Sequence, residues 1–348
     1  MTAGREGILQ QYLHKEMLGI EIGAFYRPTV PKADGWNVIS VDHDTKQGLL
    51  RVYAHDVNAT VDSVQEVDVV WNSGRLSEAL QRNGHTVGSF DYIVASHVIE
   101  HFPDLLGTLR DFQTVLKPGG VISLAVPDLR YCFDFFMPWS TTADLIDAHR
   151  EGRTRHTKNA FFRMAAYTST GIINRGIPNE FVDATHIGLL SNVHHALDRY
   201  NTHDPSPTAP YADVHTWYFT PSTFELVMLE LRALGLLDLH IASSQRGPAG
   251  EFLVSMTKTT DPLSLSASEL TAHRLVLLKQ GAYEMAHRAE MLDGVPRVGV
   301  PRVAQDEPSR ESLTAEVARL KLEVDAIRRS NSWRLTSPLR AMKSIFAG

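Results

Sequence analysis

A glycine turn followed by an acid is the first constellation with chemical meaning. The apolar run Gly19-Ile-Glu21-Ile-Gly23 ends on a glycine, which lets a backbone approach a bound nucleotide or nucleoside closely. Asp42 closes the next apolar run, about 20 residues later, where an acidic side chain grips a ribose diol. A helix cap at Asp42 or Asp44 is the plainer alternative. His97-Val-Ile-Glu100-His101 has the H-x-x-E-H spacing of a zinc site, since a continuous helix would put both imidazoles on one face. Pro103 would break that helix at once, so no metal is expected from the motif. Asp128 ends Ala-Val-Pro-Asp, just before Arg130 and Tyr131, and His215 and Trp217 lie in an aromatic segment. A histidine titrating near neutrality can take a hydroxyl proton, and an aromatic ring can stack on a sugar face. His101, Asp128 and His215 are therefore the catalytic candidates. His186, His194 and His195 lie in the same stretch, but with sixteen histidines in the chain any one is more often structural than catalytic.

The elements that must position these residues alternate along the chain. Residues 5–16 read as a short amphipathic helix. Leu18–Ile22, Asn37–Val41, Val67–Trp71, Phe90–Ser96 and Val121–Val126 are short apolar runs bounded by Gly, Pro and Asp, as strands buried on both faces require. Leu105–Leu116 is helical between two of them. Such alternation predicts a doubly wound α/β fold. After Val126 the periodicity weakens until Thr220-Pro221, where a capped helix is expected to run to Leu234 and stop at Gly235. Leu237–Ser243 and Glu251–Thr257 then read as an antiparallel strand pair.

The ordered segments E-I-G, V-D-H, V-D-V-V-W-N, F-D-Y-I-V-A-S-H-V-I-E-H and L-K-P-G-G-V-I-S-L-A-V-P-D resemble the motifs of Rossmann-like (class I) S-adenosylmethionine-dependent methyltransferases. More narrowly, the chain resembles bacterial methyltransferases associated with glycosyltransferases of cell-surface polysaccharide synthesis. The resemblance implies a mostly parallel seven-stranded sheet with an antiparallel last strand. It implies S-adenosyl-L-methionine as cofactor. Glu21 and Gly23 would line its methionine end, Asp42 its ribose with His43 beside it, and Trp71 and Asn72 its adenine. Ser96 and His97 would lie where cofactor and acceptor meet. Two departures stand out: Ala24, Phe25 and Tyr26 replace further glycines, and Asn72 stands where an Asp is usual. Asp42 after a glycine turn would also suit a nicotinamide dehydrogenase, but no G-x-G-x-x-G occurs.

The expected organisation is a catalytic domain over 1–260, with an acceptor-binding insertion at 128–219. A long helix follows at 261–293, then a Pro/Gly linker at 294–312, a short coiled coil at 313–330 and a basic amphipathic tail at 331–348. The linker repeats Gly-Val-Pro-Arg-Val, and Leu313, Val317, Leu320, Val324 and Ile327 form a heptad seam. The tail also resembles one found on surface-polysaccharide glycosyltransferases. These features suit self-association or a glycosyltransferase partner, with at most peripheral contact to a membrane.

With 43% hydrophobic residues and a formal charge of −6, the chain should fold around a core and has no general attraction to nucleic acid. A lone cysteine, Cys132, fits a reducing cytosol. The expected function is O-methylation of a saccharide or surface-polysaccharide precursor in the cytoplasm. A small-metabolite acceptor or a non-catalytic adaptor are the alternatives.

Overall fold

The computed structural model describes residues 4–54, 56, 59–170, 187–248 and 250–292. All lie in the unit Met1–Val295; His186, the linker, the coil and the tail lie outside the described residues. Strands β1 (Gly19–Ile22), β2 (Val38–Asp42), β3 (Val69–Val70), β4 (Phe90–Ser96), β5 (Leu116–Pro127), β6 (Leu239–Arg246) and β7 (Glu251–Lys258) form one sheet in the order β3-β2-β1-β4-β5-β7-β6. β1 pairs parallel to β2 and β4, β2 to β3, and β4 to β5, while β7 runs antiparallel to both β5 and β6. The expected mostly parallel seven-stranded sheet with an antiparallel last strand is therefore present.

The direction of β7 matters for the site. The carboxyl ends of the parallel strands share one edge, where ligands bind in open parallel sheets. Because β7 is antiparallel, it presents its first residue there instead, with Glu251 opposite Pro127 at the end of β5.

Helices α2 (Lys46–Val52), α3 (Leu76–Arg82) and α4 (Leu105–Val115) connect the strands. Leu105, Leu106, Leu109, Phe112 and Val115 of α4 recur at helical spacing and are all buried, so one face of the helix seals the sheet. The helix α8 (Pro221–Ala233) starts on Thr220 with Pro221 at its first turn, as read from the sequence.

Three expectations differ from the structure. The first helix, α1, spans only Arg5–Leu9. Beyond it Leu13 joins Val30, Val38, Tyr92 and Val94 through a turn, and the Gln10 side chain donates to the Thr29 carbonyl at 2.6 Å. The third strand has two residues rather than five, as suits a sheet edge with a partner on one side only. The weakly periodic stretch 128–219 contains α5 (Thr142–Arg150), α6 (Lys158–Tyr167), α7 (Val193–Thr202) and a two-residue pair, Ser169–Thr170 with Gly188–Leu189. Each helix has a side-chain cap, Thr141, Thr157 and Asn192 respectively, and each is too short for its apolar spacing to stand out. The long helix α9 spans Ala267–Glu290, with Ser266 and Glu269 in a capping box.

Candidate active site

At the end of β1, Gly23 has φ +68°, and a Cβ there would lie 2.8 Å from Cγ2 of Val98 in the loop after β4. Only glycine lets these two loops approach so closely. Phe25 follows with φ +45°, its ring against Tyr26 and Tyr53 at centroid distances of 4.9 and 4.6 Å. The turn is thus held by an aromatic cluster rather than by further glycines. Glu21 is buried, and its carboxylate accepts the backbone N–H groups of Thr29 and Val30. Burial pushes its pKa up to about 7, against the lowering effect of those hydrogen bonds. Glu21 shapes the loop around the turn from beneath.

Asp42 ends β2, and its Oδ1 accepts the backbone N–H and ring Nδ1–H of His43 at 2.7 and 2.8 Å. This hydrogen bond raises the His43 pKa, and the charge of Asp213, from the distant insertion, adds to the effect. Trp71 donates its backbone N–H to the Asp42 carbonyl at 2.7 Å and its ring N–H to the Gly74 carbonyl at 3.1 Å. Its ring rests on Phe102, with centroids 5.4 Å apart. Exposed Asn72 follows it, accepting a hydrogen bond from the Ser73 hydroxyl. The acid, the indole and the amide therefore stand together at the ends of β2 and β3.

Ser96 and His97 end β4 in a cluster whose other members come from the two ends of the described chain. Arg5 donates to Ser96 Oγ at 2.6 Å and clasps Glu251 with two nitrogens, at 2.6 and 3.1 Å. Nε2 of His97 meets Glu251 Oε2 at 2.8 Å. Burial raises the Glu251 pKa, but the hydrogen bonds from His97 and Arg5 outweigh it, and the net shift is downward. The chain then turns sharply. His97 has φ +54°, and Ile99–His101 form a single 3₁₀ turn, so the helix that H-x-x-E-H would need is absent.

That turn buries Glu100, which is 1% exposed and has no hydrogen-bond partner on either carboxylate oxygen among the described residues. Three imidazole nitrogens surround its Oε1: His97 Nδ1 at 3.7 Å, His101 Nε2 at 3.9 Å and His215 Nε2 at 4.0 Å. Nδ1 of His215 donates to Asp134 Oδ2 at 2.6 Å, and Nδ1 of His101 to Asp213 Oδ1 at 2.8 Å. Burial lowers the His101 pKa, but the Asp213 hydrogen bond and the Glu100 charge give a net rise. The Tyr211 hydroxyl donates within reach of both Asp213 and the His101 carbonyl. Thr216 N–H donates to the Glu100 carbonyl at 2.8 Å. The 211–217 segment is thus laced onto the turn after β4.

Two candidates are placed differently from their expected roles. Asp128 is fully buried, and Arg130 grips both its oxygens, at 2.9 and 2.5 Å. Its carboxylate fixes the chain leaving β5 and has no open face for proton transfer. Trp217 is buried, with its ring N–H on the Phe102 carbonyl at 2.6 Å, so it cannot stack on a sugar. His194 and His195 are exposed on α7. The sequence reading missed Arg5, Asp134, Asp213 and Glu251 as site residues.

Residues 19–169 match the family model of a methyltransferase domain. No curated protein matches the chain. Among solved structures, it is similar to a SAM-dependent methyltransferase from Methanosarcina mazei at 14% identity and a TM-score of 0.37, covering 73% of this chain and 98% of that one. An S-adenosylmethionine-dependent methyltransferase from Mesorhizobium loti gives 14% identity and a TM-score of 0.36, covering 72% and 95% respectively. A 1,6-didemethyltoxoflavin-N1-methyltransferase from Burkholderia thailandensis gives 14% and 0.35, covering 73% and 76%. The family match spans β1 to β5 and every loop at their carboxyl edge. The chain is an S-adenosylmethionine-dependent methyltransferase enzyme.

Proposed function

We propose that the chain O-methylates a saccharide, a surface-polysaccharide precursor being the acceptor that its sequence resemblance suggests. The observation that carries O-methylation is the pair of carboxylate-oriented imidazoles, His101 and His215, facing buried Glu100 beside the cofactor edge. The sulfonium of S-adenosylmethionine is already a strong methyl donor. The protein's tasks are to align the attack, exclude water and receive the proton of the attacking hydroxyl. Asp42 grips the ribose, Trp71 and Asn72 flank the adenine, and Gly23 admits the methionine end. The Ser96–His97 cluster closes the floor where donor and acceptor meet. The hydroxyl proton is received at the centre formed by Glu100, His101 and His215.

The test is transfer of a labelled methyl group from S-adenosylmethionine to lipid-linked saccharides, with small phenols and quinones as competing acceptors. The expected result is labelled saccharide, with His215→Ala slowing transfer roughly 10²- to 10⁴-fold at unchanged cofactor affinity. Labelled phenol or quinone alone would favour a small-metabolite enzyme. Failure to bind cofactor at all would leave an adaptor.

No described helix is long and apolar enough to cross a membrane. Recruitment to a membrane face or a glycosyltransferase through residues 313–348 remains part of the proposal. Deleting 309–348 should leave cofactor affinity unchanged and reduce self-association and co-sedimentation with anionic vesicles.

A further inference from the structure

Among the described residues, Glu100 is a buried carboxyl group with no hydrogen-bond partner on either oxygen. An ionised carboxylate taken out of water without a partner is costly, and such groups are normally paired or bound to a cation. The nitrogens nearest to it are 3.7 to 4.0 Å away, beyond hydrogen-bond length.

Both His101 and His215 turn the same atom, Nε2, toward Glu100 Oε1, and the three atoms lie within 4.8 Å of one another. The cause lies one layer out. Asp213 and Asp134 each accept from the Nδ1–H of one ring, so each ring in its neutral form turns the Nε2 lone pair inward. Metal-binding histidines are oriented in this way. The orienting carboxylates are themselves held, Asp213 by the Tyr211 hydroxyl at 3.1 Å and Asp134 by the Cys132 thiol at 3.6 Å.

We propose that Glu100 Oε1, His101 Nε2 and His215 Nε2 bind a first-row divalent cation. Two imidazoles and one carboxylate suit zinc, cobalt, manganese or ferrous iron, with the remaining positions open. Ligand atoms about 2.0–2.2 Å from an ion stand roughly 3.4 Å apart in a tetrahedron. The two imidazole–carboxylate distances of 3.9 and 4.0 Å therefore need to close by about half an ångström, within reach of small imidazole rotations. The site differs from the zinc helix suggested by H-x-x-E-H: it uses the last two residues of that motif and replaces the first with His215, brought in from the insertion. With the ion bound, the acceptor hydroxyl would be polarised by the ion instead of giving its proton directly to either imidazole; that use rests on the proposed O-methylation, and the binding itself does not.

The test is equilibrium dialysis of full-length, chelator-stripped protein against Co²⁺ and Zn²⁺, with metal counted per chain. Co²⁺ visible absorption reports the ligand geometry, and S-adenosylhomocysteine affinity reports that each variant is folded. One ion per chain is expected. Glu100→Gln and His215→Ala should each weaken binding at least tenfold. Asp134→Asn should weaken it 10- to 100-fold with every ligand still present. If His215→Ala fails to fold, Glu100→Gln and Asp134→Asn decide. No stoichiometric ion in the wild type, or unchanged affinity in folded Glu100→Gln and Asp134→Asn, overturns the proposal. Loss of S-adenosylhomocysteine binding by the wild type with the ion retained would instead count against the methyltransferase reading.

Discussion

Strands β1–β5 bury runs of Ile, Val, Leu and Phe between helices, and their contacts are apolar and non-directional. Segment 128–219 is tied down differently. Its key contacts are directional: His215 to Asp134 and Asp213 to His101 reach far along the chain, and Arg130 grips Asp128 on its own loop. The first region derives stability from area removed from water. The second also buries apolar side chains, Phe135, Phe161 and Phe219 among them, but its polar pairs set positions, because a hydrogen bond weakens steeply when it is stretched or bent. A methyltransferase needs both: a durable sheet to hold the cofactor, and a polar network to aim the groups that meet the acceptor.

Changes on either side should separate these roles. The largest effect is expected in the sheet. Phe90→Ala in β4 empties a fully buried site and should cost about 3–5 kcal/mol, read as a lower urea midpoint for the whole domain. A loss below about 1 kcal/mol would mean the sheet is not the main source of stability.

Glu21 gives a pH signature of comparable size. In the fold it keeps its proton up to about pH 7, whereas the unfolded chain releases it near 4.5. The folded state therefore binds more protons in that window, and stability should fall as pH rises from 4.5 to 7, by about 3 kcal/mol in all. Glu21→Gln should flatten the profile there, as measured by urea unfolding at several pH values. An unchanged slope would place Glu21 in a more solvated setting than its buried position implies.

The smallest of the three stability effects belongs to the insertion. Asp134→Ala removes the partner of His215 and should cost about 1–3 kcal/mol. Cofactor affinity, measured by calorimetry, should stay within about threefold of wild type. A tenfold loss would show that the insertion's network also shapes the cofactor pocket, and would blur the division between the regions.

The same division explains what the sequence revealed. Strand β4, the α8 start at Thr220–Pro221 and the antiparallel final pair were legible, because each rests on local periodicity and turn chemistry. So was the breakdown of the H-x-x-E-H helix, announced by Pro103. The placement of Arg5 and Glu251 was not: they stand 246 positions apart, and what joins them is the antiparallel direction of β7. The pairings of Asp134 and Asp213 depend on how the insertion folds back over the β4 turn, which no local pattern encodes. Asp128 was misjudged for a related reason. Its position at the strand end is right, but its partner Arg130, two residues on, consumes both oxygens.

The proposed cofactor site lies at the ends of β1, β2 and β3, with Asp42 as the proposed ribose ligand. Calorimetric titration of wild-type protein and Asp42→Ala with S-adenosylmethionine tests it most directly. Saturable binding by the wild type, weakened in Asp42→Ala by about 2–3 kcal/mol as for a pair of charge-assisted hydrogen bonds, is the predicted result. Equal affinity in the two proteins, or no saturable binding in either, would contradict it.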